Sequence, residues 1–268
     1  MIARSEEEQK ILREGGRRLA GVLATVAATV RPGVTLRELN DLAERLIAET
    51  GGAPSFKGYQ PHLAACPYPS TLCCSVNEEV VHGIGNRDIA LQRGDIVGLD
   101  IGMKWPAGQV SNVNGQVSGL YTDTATTVGV GKISKEARRL MAVTAEALGA
   151  GIAAARVGSR LSDVARAVQT TAEGAGFSVV RELVGHGVGR SAHEDPQVPN
   201  FWDEHQIDSV LLDGMVIAIE PMITAGTWRV RVRPDGWTIV TADGSLSAHF
   251  EHTVLITKQG AEVLTRTE

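Results

Sequence analysis

The sequence contains few cysteines, and their arrangement excludes a disulfide-stabilised scaffold. Cys66, Cys73 and Cys74 are the only three among 268 residues. They form no Cys-x-x-Cys pair, and two adjacent cysteines are poor disulfide partners for each other. A low, odd cysteine count is typical of proteins from reducing compartments. We therefore predict a cytoplasmic location.

The sequence also lacks an excess of basic charge and long apolar runs. The formal net charge is −5, so the basic footprint of proteins that bind nucleic acid or anionic membranes is missing. No apolar run approaches the ~18 residues that cross a bilayer. The charged opening MIARSEEEQK has no apolar core of a secretory signal. We expect no nucleic-acid or membrane partner.

Aromatic residues make up only 4% of the chain, whereas 43% of residues are hydrophobic, so we expect an aliphatic core. Capping boxes at 5–8 and 35–38 predict helices that extend to about Val30 and Gly51. Four apolar, β-branched segments are predicted as strands: 95–103, 120–128, 215–224 and 249–257. Two further helices are predicted at 134–155 and 160–175. The segment 196–213 is predicted as a loop.

A weak internal repeat organises the chain. Four short segments recur in the same order in both halves, with a period too long for a solenoid. The matches are 31–39 with 156–164, 82–85 with 186–189, 93–100 with 213–220, and Asp123 with Glu251. The repeat predicts one pseudo-twofold α/β domain over residues 1–268, built from related halves at about 1–130 and 131–268.

The repeat also places acidic residues at matched positions. Each half has one acid at the end of an apolar strand (Asp100, Glu220) and one on a following strand (Asp123, Glu251). A pseudo-twofold brings all four together, where unpaired carboxylates would be very costly to bury. Two divalent cations would remove that cost. Oxygen ligands with one imidazole suit Co, Mn, Fe or Zn.

Histidines in glycine-rich segments complete the candidate site. His186 and His193 lie in GHGVGRSAHEDP, and His82 lies in the matching HGIG. The glycines allow the backbone to pass close to a site. A dinucleotide-binding loop is disfavoured, because GHGVGR lacks the GxGxxG spacing and the acid that should follow it.

These motifs together resemble the methionine aminopeptidase family, specifically its short bacterial type I form. The resemblance covers nearly the whole chain and implies the pita-bread fold, an α/β (α+β) pseudo-twofold around a central antiparallel sheet. The motifs that carry it are VNEEVVHGIG, GDIVGLDIG, YTDTATT, GHGVGRSAHEDP, IAIEPM and DGWTIVTADGSLSAHFEHTVLIT.

The resemblance implies a role for each matched residue. Asp100 corresponds to a carboxylate that chelates one metal, and Asp123 and Glu251 to carboxylates that bridge both. His186 and Glu220 correspond to ligands of the other metal. The five implied metal ligands are thus Asp100, Asp123, His186, Glu220 and Glu251.

The resemblance also implies catalytic roles for His82, His193 and Glu220. His82 and His193 correspond to histidines that contact the scissile amide and its carbonyl. A water held by two cations would be a usable hydroxide near neutral pH. His193 and a metal would stabilise the oxyanion, and Glu220 would shuttle the proton. The implied substrates are nascent polypeptides and peptide N-termini, with a monomeric enzyme that contacts the ribosome transiently.

The sequence departs from the family pattern beside the site. Asp100 and Asp123 are 23 residues apart, farther than usual, so we interpret 101–119 as a lengthened hairpin. A second insertion covers 60–66, and Ala192 stands where an aromatic residue commonly precedes the second histidine. The residues that match the methionine pocket, with plain core packing as the alternative role, are Tyr59, Tyr68, Cys73 and Trp237.

Two other functions stay open. A proline-specific metallopeptidase of the same fold would carry a large additional N-terminal domain, whereas here the first capping box begins at Ser5. A non-catalytic binding module would have lost metal ligands, and all five are present. A cysteine nucleophile and a zinc knuckle are not favoured, because the cysteine spacing supports neither. Ser–His–Asp chemistry is not favoured either, because the sequence has no nucleophile elbow.

Overall fold

Four helices are formed in the computed structural model, which describes residues 1–61, 66–112 and 115–267. Both predicted capping boxes are present: Ser5 accepts from the Glu8 N–H and Glu8 from the Ser5 N–H, and Thr35 and Glu38 do the same. The helices are α1 (Glu6–Ala28), α2 (Leu36–Glu49), α3 (Lys135–Ala154) and α4 (Leu161–Gly174).

The strands lie between and after the helix pairs. They are β1 (Ala53–Pro54), β2 (Leu72–Val76), β3 (Glu79–Val81), β4 (Ile96–Asn112), β5 (Gly115–Gly129), β6 (Ser178–Val179), β7 (Gly185–Gly187), β8 (Glu194–Val198), β9 (Val216–Ile219), β10 (Met222–Thr224), β11 (Val230–Val232), β12 (Ile239–Thr241), β13 (Ser247–His249), β14 (Glu251–Thr257) and β15 (Gly260–Val263).

The central sheet is antiparallel and joins the two halves. Its order is β1-β4-β5-β14-β9-β7-β8, with β2 also on β4 and β15 also on β14. The β4–β5 pair comes from the first half and the β14–β9 pair from the second, so the seam between β5 and β14 lies on the pseudo-twofold. The predicted fold class, a pseudo-twofold α/β arrangement around a central antiparallel sheet, is confirmed.

Strand alternation separates the two faces of this sheet. Leu99 and Ile101 of β4 pack in the core with α1 and α2, and Ile217 and Ile219 of β9 pack in the core with α3 and α4. Because successive side chains point to opposite faces, Asp100 and the residues flanking Ile219 face away from the helices. The helices therefore cover one face and leave the other for the candidate site.

The strand predictions differ from the structure in two places. The predicted strand 215–224 is two strands, because Pro221 has no N–H to donate and ends β9. The predicted strand 249–257 is likewise divided between β13 and β14 at Phe250. Each interruption lies beside an acid of the candidate site. In the predicted loop 196–213, residues up to Val198 belong to β8.

The lengthened hairpin is present. β4 and β5 stay paired from Ile96–Gly129 out to Asn112–Gly115, with a register shift between Trp105 and Gln109. The insertion therefore extends the strands outward and leaves the pairing near Asp100 intact. Of the second insertion, residues 62–65 lie outside the described part. Within the described ranges, none of the helices combines the length and the apolar character of a membrane-spanning segment.

Glycines after the two matched histidines allow close backbone packing. A Cβ on Gly83 would lie against the carbonyl oxygen of Cys74, and one on Gly187 against that of Asp195, both closer than real Cβ contacts. In each half the His-Gly segment thus packs directly on a neighbouring strand.

We expect Gly187→Ala to lower the free energy of unfolding by about 1–3 kcal/mol, because backbone must move to admit the methyl group. The control is Gly149→Ala within α3, where nothing lies near the added Cβ and helix propensity predicts a gain of up to about 1 kcal/mol. Urea unfolding of both variants measures this. Equal effects of the two substitutions would contradict the packing argument.

Candidate metal centre and substrate pocket

Sheet register aligns the predicted carboxylates in one row. Asp100 on β4 is opposite Ala125 on β5, and Ala125 is opposite Glu251 on β14. One residue beyond the His252–Ile219 pair, the same register brings Glu220 opposite Glu251. Asp123 lies two residues from Ala125 on the same face. Directly opposite and diagonal residues of one face are neighbours, so the four acids converge.

Threonine hydroxyls fix the backbone at the seam between β5 and β14. Thr253 Oγ1 accepts from the Asp123 N–H at 2.8 Å and donates to the Asp123 carbonyl at 2.8 Å. Thr124 Oγ1 donates to the Glu251 carbonyl at 2.9 Å. These bonds hold the main chain of two candidate ligands across the seam, and so set the separation of their carboxylates.

His186 presents one ring nitrogen to the acids. Its Nδ1 lies 2.9 Å from the Gly187 carbonyl oxygen, which can only accept, so Nδ1 carries the proton and Nε2 is free to bind a metal. Ligand atoms of Asp123, His186 and Glu251 all lie within 4.8 Å of one another. Nε2 is also 3.5 Å from Glu220 Oε1.

Burial raises the pKa of every acid in the row, and neighbouring carboxylates raise the pKa values of Asp100, Glu220 and Glu251 further. Burial raises the pKa of Asp123 to about 7. The pKa of Asp100 is raised well above its usual range by burial and then by the nearby Asp123. Burial is also the first cause for Glu220 and Glu251, whose pKa values are raised further by the neighbouring carboxylates. The acids therefore retain protons unless a cation compensates their charge.

The pKa values of the three histidines at the site are lowered. Burial, with the nearby His193, lowers the pKa of His186 to about 3 and that of His82 to about 4. Burial also lowers the pKa of His193. All three are neutral near pH 7, so they can ligate a metal or share a hydrogen bond with a substrate.

One cavity of about 280 Å³ contains every residue predicted for the site. His193 packs against Tyr59 and His186, with ring centroids 4.9 and 4.3 Å away. Trp237 meets Tyr68 edge-on at 5.2 Å. The predicted residues that line the cavity are Tyr59, Tyr68, Cys73, His82, Asp100, Asp123, His186, His193, Glu220, Trp237 and Glu251.

Comparison with known proteins identifies the family. The model of metallopeptidase family M24 matches residues 10–258. The chain belongs to family M24. It is 43% identical to the methionine aminopeptidase of Clostridium perfringens over 99% of this chain and 98% of that protein.

Solved structures agree with this assignment. The chain superposes on methionine aminopeptidase from Thermotoga maritima with a TM-score of 0.88, at 41% identity, covering 99% of this chain and 100% of that one. The prolidase from Pyrococcus horikoshii, 22% identical, shares the fold with a TM-score of 0.72, over 100% of this chain and 64% of that one.

The donor set of this M24 chain fits divalent metal ions. Asp100 Oδ1 and Asp123 Oδ1 are buried and have no hydrogen-bond partner among the described residues. Buried polar atoms are normally satisfied, and clustered carboxylates with a free imidazole nitrogen are ligands for hard or borderline cations.

Sequence reasoning missed several residues that line the cavity. Phe56, Val184 and Met222 contribute apolar wall, and no motif distinguishes them from ordinary core residues. His249 was also missed. It is buried, and its Nε2 lies 3.6 Å from Glu220 Oε2. Its position two residues before Glu251 was an available signal. Ala192, which stands where an aromatic residue is common, is buried. The aromatic ring that packs against His193 is that of Tyr59.

Binding of Mn²⁺ near pH 6 is expected to release at least one proton per protein. Asp123, with a pKa of about 7, is mostly protonated there and must lose its proton to ligate. His186 contributes none, since its pKa is about 3. Apparent affinity therefore rises with pH through pH 7. Calorimetry in buffers of different ionisation enthalpy measures the release.

The matched variant for this measurement is Asp123→Asn. Its amide cannot carry the carboxyl proton, so Mn²⁺ binding should release fewer protons per protein. Proton release that is zero in the unaltered protein, or identical in the variant, would contradict the assignment of Asp123 as the protonated ligand.

Ala125 lies between Asp100 and Glu251 in the register, so the two additional methyl groups in Ala125→Val should crowd the carboxylates. We expect Mn²⁺ affinity to fall at least about tenfold, the usual effect of displacing groups that orient metal ligands. The control is Thr126→Val, the next residue, which points to the opposite face. Mn²⁺ titration with circular dichroism separates lost binding from misfolding. Unchanged affinity in Ala125→Val would argue against the row.

Proposed function

We propose that this chain is a methionine aminopeptidase that hydrolyses the first peptide bond of nascent proteins and peptides and releases N-terminal methionine. The observation that carries the proposal is the convergence, in one cavity, of five metal-ligating side chains with two further histidines and an apolar pocket. The names of the relatives that cover the whole chain support the same substrate.

We assign two divalent ions to the carboxylate row, of Co, Mn, Fe or Zn. The residues that would hold them are Asp100, Asp123, His186, Glu220 and Glu251. When bound, such ions lower the pKa of water and polarise a carbonyl oxygen.

The chain's own groups then move protons and stabilise charge. Glu220 lies between His186 and His249, 3.5 and 3.6 Å away, and accepts the proton of the attacking water. His193 faces the carbonyl oxygen of the scissile bond and stabilises the developing oxyanion. His82, which lines the same cavity, contacts the scissile amide.

The apolar end of the cavity suits an unbranched thioether. Phe56, Tyr68 and Cys73 form one buried cluster, with Trp237 packed against it. The Tyr68 hydroxyl donates to the Gly83 carbonyl at 2.9 Å, so the pocket receives an apolar ring. Methionine makes favourable sulfur contacts with aromatic rings, which favours it over polar or charged first residues.

Two other activities are weaker. A proline-specific peptidase is the second candidate, since a prolidase shares the fold, but that prolidase is only 22% identical to this chain, whereas a methionine aminopeptidase is 43% identical. A non-catalytic module does not need five converging ligands. We further propose that residues 1–268 form one catalytic domain, monomeric and cytoplasmic, which meets its substrates near the ribosome.

Peptide hydrolysis tests the proposal. Metal-free protein is incubated with Met-Ala-Ser and with an Ala-Pro peptide, with and without Mn²⁺ or Co²⁺. We expect metal-dependent release of methionine and little cleavage of the second peptide. Glu220→Gln should lower kcat by about 10²–10⁴-fold, whereas Glu262→Gln, which changes an exposed ion pair with Arg13, should not.

Failure to release methionine with any of these metals would rule out the proposed function. Preferential cleavage of the Ala-Pro peptide would instead support the proline-specific alternative.

A further inference from the structure

His249 lies beside the metal centre without belonging to the predicted ligand set. It is the last residue of β13, only 3% exposed. Its cross-strand partner is Met222 on β10, two residues after Glu220. The pairing of β13 with β10 therefore brings the imidazole next to Glu220, although the two residues are 29 positions apart in the sequence.

The Glu220 carboxylate lies between two imidazoles. Oε1 is 3.5 Å from His186 Nε2, and Oε2 is 3.6 Å from His249 Nε2. The His249 Nε2 atom is buried and has no hydrogen-bond partner within the described ranges. A buried ring nitrogen is normally paired, and the nearest acceptor given by the structure is Glu220 Oε2.

The backbone of His249 is held as firmly as that of a candidate ligand. Thr127 Oγ1 accepts from the His249 N–H at 2.9 Å and donates to the His249 carbonyl at 2.8 Å. Thr253 makes the same reciprocal pair with Asp123. One threonine pair joins β5 to β13 and the other joins β5 to β14, so the backbone that carries the His249 ring is fixed relative to Asp123.

We propose that His249 is a positioning residue that donates from Nε2 to Glu220 Oε2 and leaves Oε1 for the metal shared with His186. The proposal rests on the metal-ligand role proposed for Glu220. The present separation exceeds an ordinary N–H···O distance by about 0.5 Å, which a small ring rotation closes. A carboxylate held at one oxygen cannot turn to chelate with both.

Mn²⁺ titration without substrate tests this role in the full chain. Removing a group that orients a metal ligand typically weakens metal binding about 10–100-fold, so we expect that loss in His249→Leu. His249→Gln keeps an N–H donor and should recover most of the affinity. The control is His252→Gln, whose ring bonds Thr265 at 3.0 Å on the opposite face and which should bind normally.

A double-mutant cycle with Glu220→Ala tests whether His249 acts through Glu220. If it does, adding His249→Leu to Glu220→Ala should cause little further loss of Mn²⁺ affinity, because alanine has no oxygen to accept from His249 and the interaction is already broken. Circular dichroism confirms folding of each variant.

Unchanged affinity in His249→Leu, no recovery in His249→Gln, or additive losses in the double variant would each overturn the proposal. So would a wild-type protein that binds no Mn²⁺. A wild-type protein that binds Mn²⁺ but releases no methionine would overturn the proposed function and leave this inference intact.

Discussion

Repulsion among four carboxylates in one poorly solvated cavity is the constraint on which the site depends. Two like charges 4 Å apart repel by roughly 4 kcal/mol at an effective dielectric constant of about 20, and burial adds to that cost. The pKa values of Asp100, Glu220 and Glu251 show both effects, since burial and the neighbouring carboxylates raise them together, so these acids hold their protons more tightly. Divalent cations would compensate the same negative charge, so metal ions and protons would compete for one set of oxygens.

Four carboxylates that repel one another stay close only if the backbone that carries them is rigid. The central sheet provides that rigidity. The acids project from adjacent antiparallel strands, so their spacing is set by main-chain hydrogen bonds. Threonine hydroxyls at the seam bond the backbone at Asp123, Glu251 and His249. Apolar cores against the helices anchor the other face, and Ala125 lies between Asp100 and Glu251 in the register.

Sequence reasoning reached the fold because the repeat is encoded locally: capping boxes, apolar strands and acids recur in order. It also anticipated the hairpin between Asp100 and Asp123, since an outward extension preserves register. It missed the interruption after Ile219, although Pro221, which cannot donate an N–H, was a signal for it. It also missed the interruption at Phe250, which depends on which sheet the next strand joins. His249 was missed for the same reason, as its contact with Glu220 arises from the β13–β10 pairing.

The two halves share the arrangement of the central sheet but differ in the backbone conformation at His82 and His186. Both His-Gly segments pack the glycine against a neighbouring backbone, yet His82 follows β3 with a left-handed φ of 58°, whereas His186 lies within β7. A non-glycine residue in that region is strained and is held there by its surroundings. His186 therefore aligns with the acids of the sheet, while His82 leaves the strand direction and faces Trp237 at 6.4 Å. The symmetric sheet supplies the carboxylates, and the broken symmetry places His186 beside them and His82 beside Trp237.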